Sequence, residues 1–120
     1  MKTFPIPDDE QIHSLLTRTF VQKIGEYVPN PLDTDYMRYF SVTGTKVAAY
    51  LEKHPEEAKS YFARWSQVKT THDVPKIWRE GTNYRVAWLD HGMPRDLEDF
   101  ATLEKAVAAH VTLEFGLPKN

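Results

Sequence analysis

Ile12, Leu15, Leu16, Phe20 and Ile24 recur at helical spacing along the first part of the chain. Asp8 follows Pro7 and stands three residues before Gln11, the arrangement of a capping box, so the pattern predicts a helix over 9–26 that Gly25, Pro29 and Pro31 end. Tyr36, Met37, Tyr39 and Phe40 are too aromatic for a loop and predict either a short helix opened by Asp33 or an extended piece. After an interruption at Gly44, the apolar residues Val47, Ala48, Tyr50 and Leu51 suggest a short helix stopped at His54 and Pro55. Pro55 suits a first helical position, and Ala58, Tyr61, Phe62, Trp65 and Val68 then make one stripe, a helix over 55–69.

From Val74 onward the period changes from 3.6 towards 2. Strands are predicted at Lys76–Arg79 and Tyr84–Asp90, joined by a hairpin turn at Glu80, Gly81, Thr82 and Asn83. Opposing Glu80 with Asn83 sets Ile77 across from Val86, so Ile77, Tyr84, Val86 and Trp88 share a face. A turn at His91, Gly92 and Met93 leads to a third strand over 95–100, where Leu97 and Phe100 are out of step unless a bulge intervenes or the strand ends early. Thr102 then caps a helix over 103–115 that Gly116 and Pro118 close. The order predicts an α+β fold: a two-layer domain with N-terminal helices, a three-stranded antiparallel meander and a C-terminal helix, spanning 1–120 as one domain.

Composition narrows the chemistry. Apolar residues at 41% and charged residues at 27% are those of a globular chain. The absence of cysteine removes disulfides, thiolate metal sites and thiol nucleophiles together. No apolar run has the length of a signal peptide or of a membrane span, so the expectation is a cytoplasmic protein with no membrane partner. Net charge is −2, without the positive excess that phosphate binding normally demands.

The stretch from Tyr84 to Val111 ends its strands in Phe100-Ala101-Thr102-Leu103-Glu104-Lys105-Ala106. That junction resembles the sheet-to-helix turn of plant ethylene-response-type DNA-binding domains and of integrase arm-binding domains, over less than a quarter of the chain. The resemblance implies a three-stranded sheet laid in the DNA major groove. A plainer cause is available: an apolar strand end, a hydroxyl cap and a small residue where helix meets sheet. Between Val74 and Ala101 four basic residues face five acidic ones, which weighs against phosphate. Lys76, Trp78 and Arg85 remain as a base-stacking cluster on the sheet, or as a cation–π group covering it.

Histidine and carboxylate adjoin twice, as His72-Asp73 and Asp90-His91, so His72 and His91 are candidate metal ligands or general bases. Neither pair has a known ligand spacing, and each also reads as a turn or loop. His13 and His54 fall on a helix surface and a helix end, and His110, on an apolar stripe, reads as a hydrogen-bonded core residue. The serines lack a Gly-x-Ser-x-Gly setting, and Gly44-Thr45-Lys46 lacks the upstream glycine of a phosphate loop because position 39 is Tyr39. No cofactor is expected, and an enzyme is the less favoured class.

The aromatic residues exceed what one small core easily hides, and Tyr and Trp concentrate in protein–protein hot spots. The leading expectation is a non-enzymatic binding or regulatory protein, of a size common among bacterial and phage accessory proteins. It would act on another protein or pair with itself as a homodimer, with Tyr36, Tyr39 and Phe40 at the contact. Nucleic-acid binding through the sheet is the alternative, and a small metal-dependent or His–Asp enzyme the second alternative.

Overall fold

Arg18 divides the helix that the apolar pattern runs from 9 to 26. In the computed structural model, which describes residues 2–29, 35–67 and 73–120, α1 covers Asp8–Leu16 and α2 covers Phe20–Tyr27. Arg18 sits in the left-handed region at φ 61°. Its N–H donates to Leu15 O at 3.3 Å and the Thr19 N–H donates to Ser14 O at 2.8 Å, the paired bonds of a Schellman closure. Thr17 Oγ1 donates to His13 O at 2.9 Å and lies 2.8 Å from Thr19 Oγ1, so hydroxyls on both sides hold the turn.

The capping box does not form. Pro7 is the N-cap, with no side-chain bond, and the Gln11 side chain is used elsewhere. Gln11 is buried, its Nε2 donates to Ile6 O at 2.7 Å, and its Oε1 accepts from Ser41 N at 2.8 Å and Val42 N at 3.2 Å. One amide therefore joins the segment before α1 to the segment that follows a 3₁₀ turn at Tyr36–Tyr39. Asp33, expected to open a helix there, lies outside the described residues.

The chain forms two compact units, Met1–Val42 and Thr43–Asn120. The second holds α3 (Gly44–Lys53), α4 (Pro55–Trp65), β1 (Val74–Glu80), β2 (Asn83–Asp90), β3 (Met93–Phe100) and α5 (Leu103–Phe115). Gly44 opens α3 instead of interrupting the chain, because Thr43 Oγ1 accepts from Lys46 N at 3.3 Å as its cap. Pro55 takes the first position of α4, which ends at Trp65 rather than 69; residues 68–72 lie outside the described part. Thr102 caps α5 and Gly116 closes it. Beyond α5, the Gly44 N–H donates to Pro118 O at 2.8 Å and the Thr45 N–H to Lys119 O at 3.0 Å. Tail carbonyls thus satisfy N–H groups that an α-helix leaves open at its start.

The sheet has the order β1-β2-β3, antiparallel throughout, and pairs Ile77 with Val86 and Glu80 with Asn83 as the apolar alternation requires. Ile77 and Val86 are buried under α4 and α5: Phe62 of α4 meets Tyr84 edge-on at 5.4 Å, and α5 packs against all three strands. The fold is therefore α+β, with helices on both sides of the meander in sequence. In β3 the mismatch between Leu97 and Phe100 is resolved by a bulge. Val86 pairs with Glu98 but Trp88 pairs with Arg95, leaving one extra residue opposite Ala87. Asp96, at φ 53°, absorbs it, and Leu97 remains 43% exposed.

His110 is a core residue, as its place on the α5 stripe suggests. Its Nε2 lies 3.2 Å from Pro75 O and its Nδ1 2.6 Å from the Tyr61 hydroxyl. A carbonyl can only accept, so Nε2 carries the proton and Nδ1 accepts from Tyr61. One imidazole thereby joins α4, α5 and β1. Tyr61→Phe leaves a buried acceptor without its donor and should cost about 1–3 kcal/mol in chemical denaturation; an unchanged midpoint and slope would show that this bond contributes nothing.

Candidate functional site

Ile6, Ile24 and Tyr27 form one buried cluster of the first unit, and Tyr36, Tyr39 and Phe40 pack partly buried against it. The 3₁₀ turn places them there: Gln11 holds the backbone at Ser41 and Val42, directly after Phe40. Phe20 meets Tyr36 at 6.2 Å and Phe40 at 6.5 Å, and Phe4 meets Tyr39 at 6.3 Å, each pair edge-on, the arrangement that ring quadrupoles favour. Arg38 lies over the Tyr39 ring at 5.4 Å. The structure therefore brings the three sequence-predicted residues together, with their inner edges in the core and their outer edges on the surface. Phe4, 48% exposed, and Phe20 belong to the same group. Phe20 was hidden as one more member of a helical stripe, and Phe4 stands in a segment with no periodicity at all.

Beside these rings lies a polar network that the sequence pattern did not reveal. Glu10 Oε1 accepts from the Tyr27 hydroxyl at 2.7 Å and from Lys23 Nζ at 3.2 Å. Glu26 pairs with Lys2 at 2.7 Å and with Lys23 at 3.1 Å. Only the i,i+3 spacing of Lys23 and Glu26 was legible beforehand; the rest depends on how α1 meets α2. The Tyr27 hydrogen bond first, and then Lys23, hold the Glu10 carboxyl below its ordinary value, against the opposing effect of burial. Hydrogen bonds from Lys2 and then Lys23 do the same for Glu26. Both lysines are raised, chiefly by their bonds to Glu26, and burial followed by the bond to Glu10 raises the Tyr27 phenol.

On the sheet, Lys76, Trp78 and Arg85 do share one face. Trp78 pairs with Arg85 across β1 and β2, and Lys76 Nζ lies 5.5 Å from the Trp78 ring centre. The Arg85 charge is answered within the sheet, where its Nε donates to Asp99 Oδ1 at 2.7 Å, and Trp78 Nε1 donates to Glu80 Oε2 at 3.1 Å. The face is also open only in part, because Ala87 and Leu89, which alternate with the helix-facing residues, are buried.

The register that pairs Val74 with Leu89 brings Asp73 beside the turn between β2 and β3. His91 and Gly92 are the two central residues of that turn, at φ 52° and 82°, as a type I′ hairpin requires. Asp73 Oδ1 accepts from the His91 N–H at 3.1 Å, and Asp73, Asp90 and His91 offer ligand atoms within 4.8 Å of one another. The turn reading of Asp90-His91-Gly92 thus describes the backbone. Arg95 lies 3.4 Å from Asp90 and answers part of its charge. His72 lies outside the described residues. No described helix is long and apolar enough to cross a membrane.

No family model, no curated protein and no solved structure matches this chain.

The network around Glu10 has a definite pH signature. Glu10 and Glu26, depressed in the folded chain, contribute stability in full above their ordinary value of 4.5 and lose it as pH falls through their folded values. Lys2 and Lys23, raised above 10.5, contribute in full below that value and lose it as pH rises. Carboxyl-detected NMR should place the Glu10 and Glu26 midpoints below 4.5, and Lys23→Met should move both upward. A Glu10 midpoint at the ordinary value would mean that the network does not persist in solution.

Proposed function

We propose that this protein is a non-catalytic binding module that works by contact with another protein chain, through the ring cluster of Phe4, Phe20, Tyr36, Tyr39 and Phe40. The observation that carries the reading is the half-burial of Tyr36, Tyr39 and Phe40 against Ile6, Ile24 and Tyr27. Rings already held edge-on by neighbours lose little further freedom when a partner covers their outer edges. Tyr and Arg are also the residue types that anchor interfaces, and Arg38 lies over Tyr39 within this cluster. A standard interface buries about 800 Å² per partner, within reach of five rings and their polar border.

The same partly buried position makes truncation informative. Tyr36→Ala combined with Tyr39→Ala should leave a folded chain, destabilised by about 1–3 kcal/mol for the buried part of each ring, and should weaken association at least tenfold. Sedimentation velocity across a wide concentration range reads self-association. Affinity capture with the wild type, the double variant and a control change at Lys59 reads a foreign partner. A chain that stays monomeric and whose double variant keeps every partner would end this reading.

Nucleic-acid binding through the sheet is the second reading, supported by the placing of Lys76, Trp78 and Arg85 on one face. It requires binding that weakens steeply with salt as counterions are released, and a loss on Trp78→Ala or Arg85→Ala. Fluorescence anisotropy with mixed-sequence DNA and RNA at low salt decides it: no binding at tens of micromolar protein removes the reading.

A further inference from the structure

In the unit Thr43–Asn120 the helix layer reaches past the sheet. The principal neighbours of α3 are the helices α5 and α4. It approaches α5 closely, since a Cβ on Gly44 would stand 2.7 Å from Thr112 Oγ1. Between α3, α5 and the helix side of β3 lies a groove of about 600 Å³. Ala48, Ala49, Ala108, Ala109, Leu113 and Phe100 give it a largely apolar, small-residue lining. One wall is β3 itself, an edge strand of the three-stranded sheet that is exposed from Met93 to Asp99. An edge strand carries a row of backbone donors and acceptors with no strand beyond them.

Charge indicates what fits. Glu52, Asp96 and Glu98 stand on the groove's walls against Lys105 and Lys119, and Lys119 already lies 3.9 Å from Glu98. Along β3 the acids Asp96, Glu98 and Asp99 outnumber Arg95; Arg95 is engaged by Asp90 at 3.4 Å and Asp99 by Arg85 at 2.7 Å, and it is Asp96 and Glu98 that line the groove. A second β3 laid against this edge would set carboxylate beside carboxylate, which cross-strand pairing penalises. Pro94 and the Asp96 bulge further restrict regular pairing to Leu97–Phe100. These features disfavour self-pairing while leaving a basic strand free to add.

We propose that the edge of β3 and the groove beside it form a docking site for an extended, basic and apolar segment of a partner protein. The segment adds as a fourth strand next to Leu97–Phe100. Main-chain hydrogen bonds to β3 hold it, and its alternate side chains enter the groove beneath α3, apolar where they meet Ala49, Ala109 and Leu113 and basic where they meet Glu52, Asp96 and Glu98. The site belongs to Thr43–Asn120 and does not depend on the ring cluster of the other unit.

The probe is an acetylated, amidated octapeptide whose alternate residues are valine, lysine, leucine and lysine, separated by threonines, titrated into the ¹⁵N-labelled 120-residue chain. The expected result is saturable amide shifts at Leu97–Phe100 together with Ala49, Ala109 and Leu113, and slowed hydrogen exchange in β3. Asp96→Asn with Glu98→Gln should weaken binding at least tenfold; Asn tolerates the left-handed conformation at 96, so the bulge survives. Ala109→Trp should block the groove without touching the strand edge. Peptides N-methylated at alternate residues, or carrying glutamate for lysine, should not bind. Equal binding of the glutamate or N-methylated peptide would overturn the proposal. So would shifts at other residues, shifts that follow protein concentration alone (a second copy in the groove), or no saturable shift at millimolar peptide.

Discussion

A buried imidazole has few acceptable positions, and in Thr43–Asn120 the position of His110 sets those of its neighbours. Its two ring nitrogens must meet one donor and one acceptor, and they find them on different elements, the Tyr61 hydroxyl of α4 and the Pro75 carbonyl of β1. Apolar packing alone tolerates sliding of a helix over a sheet, because burial has no direction. Hydrogen bonds in a dry interior do not. The helix layer is thereby registered over Ile77 and Val86, and α5, which packs against all three strands and against α3, passes that register to the rest of the unit. Gln11 does comparable work in Met1–Val42, where one amide side chain serves three backbone groups of two separate segments.

How much of this was legible in the sequence follows from how local each determinant is. The hairpin register needs only alternation and turn residues a few positions apart, so the pairing of Ile77 with Val86 could be read directly. The Thr102 cap and Gly116 stop of α5 are equally local. The break at Arg18 was hidden because its left-handed residue is not glycine and the apolar stripe keeps its period on both sides. Gln11 had the spacing of a capping residue, and nothing short of the tertiary fold shows its amide directed to Ser41 and Val42 instead. The extra residue of β3 was visible as a conflict between Leu97 and Phe100, but the choice of Asp96 to absorb it was not.

The candidate sites follow the same division. Tyr36, Tyr39 and Phe40 are close in sequence and were found together; Phe4 and Phe20, which complete the ring group, come from distant segments. Lys76, Trp78 and Arg85 were placed on one face by strand alternation, yet the partner that answers Arg85, Asp99, lies on a third strand whose register the bulge alters. The network around Glu10 and the groove beside β3 are products of helix packing, and no short pattern encodes either.

The bonds from Gly44 and Thr45 to Pro118 and Lys119 fasten the start of the second unit to its end. The unit Thr43–Asn120 is thus a closed circuit, with its first helical turn and the residues beyond α5 in one hydrogen-bonded seam. Unfolding of small domains usually frays inward from loose ends. Here the residues after α5 lie on the first turn of α3, so their departure also reopens the N–H groups of Gly44 and Thr45. The seam behaves as a clasp that ties the start of α3 to the residues beyond α5.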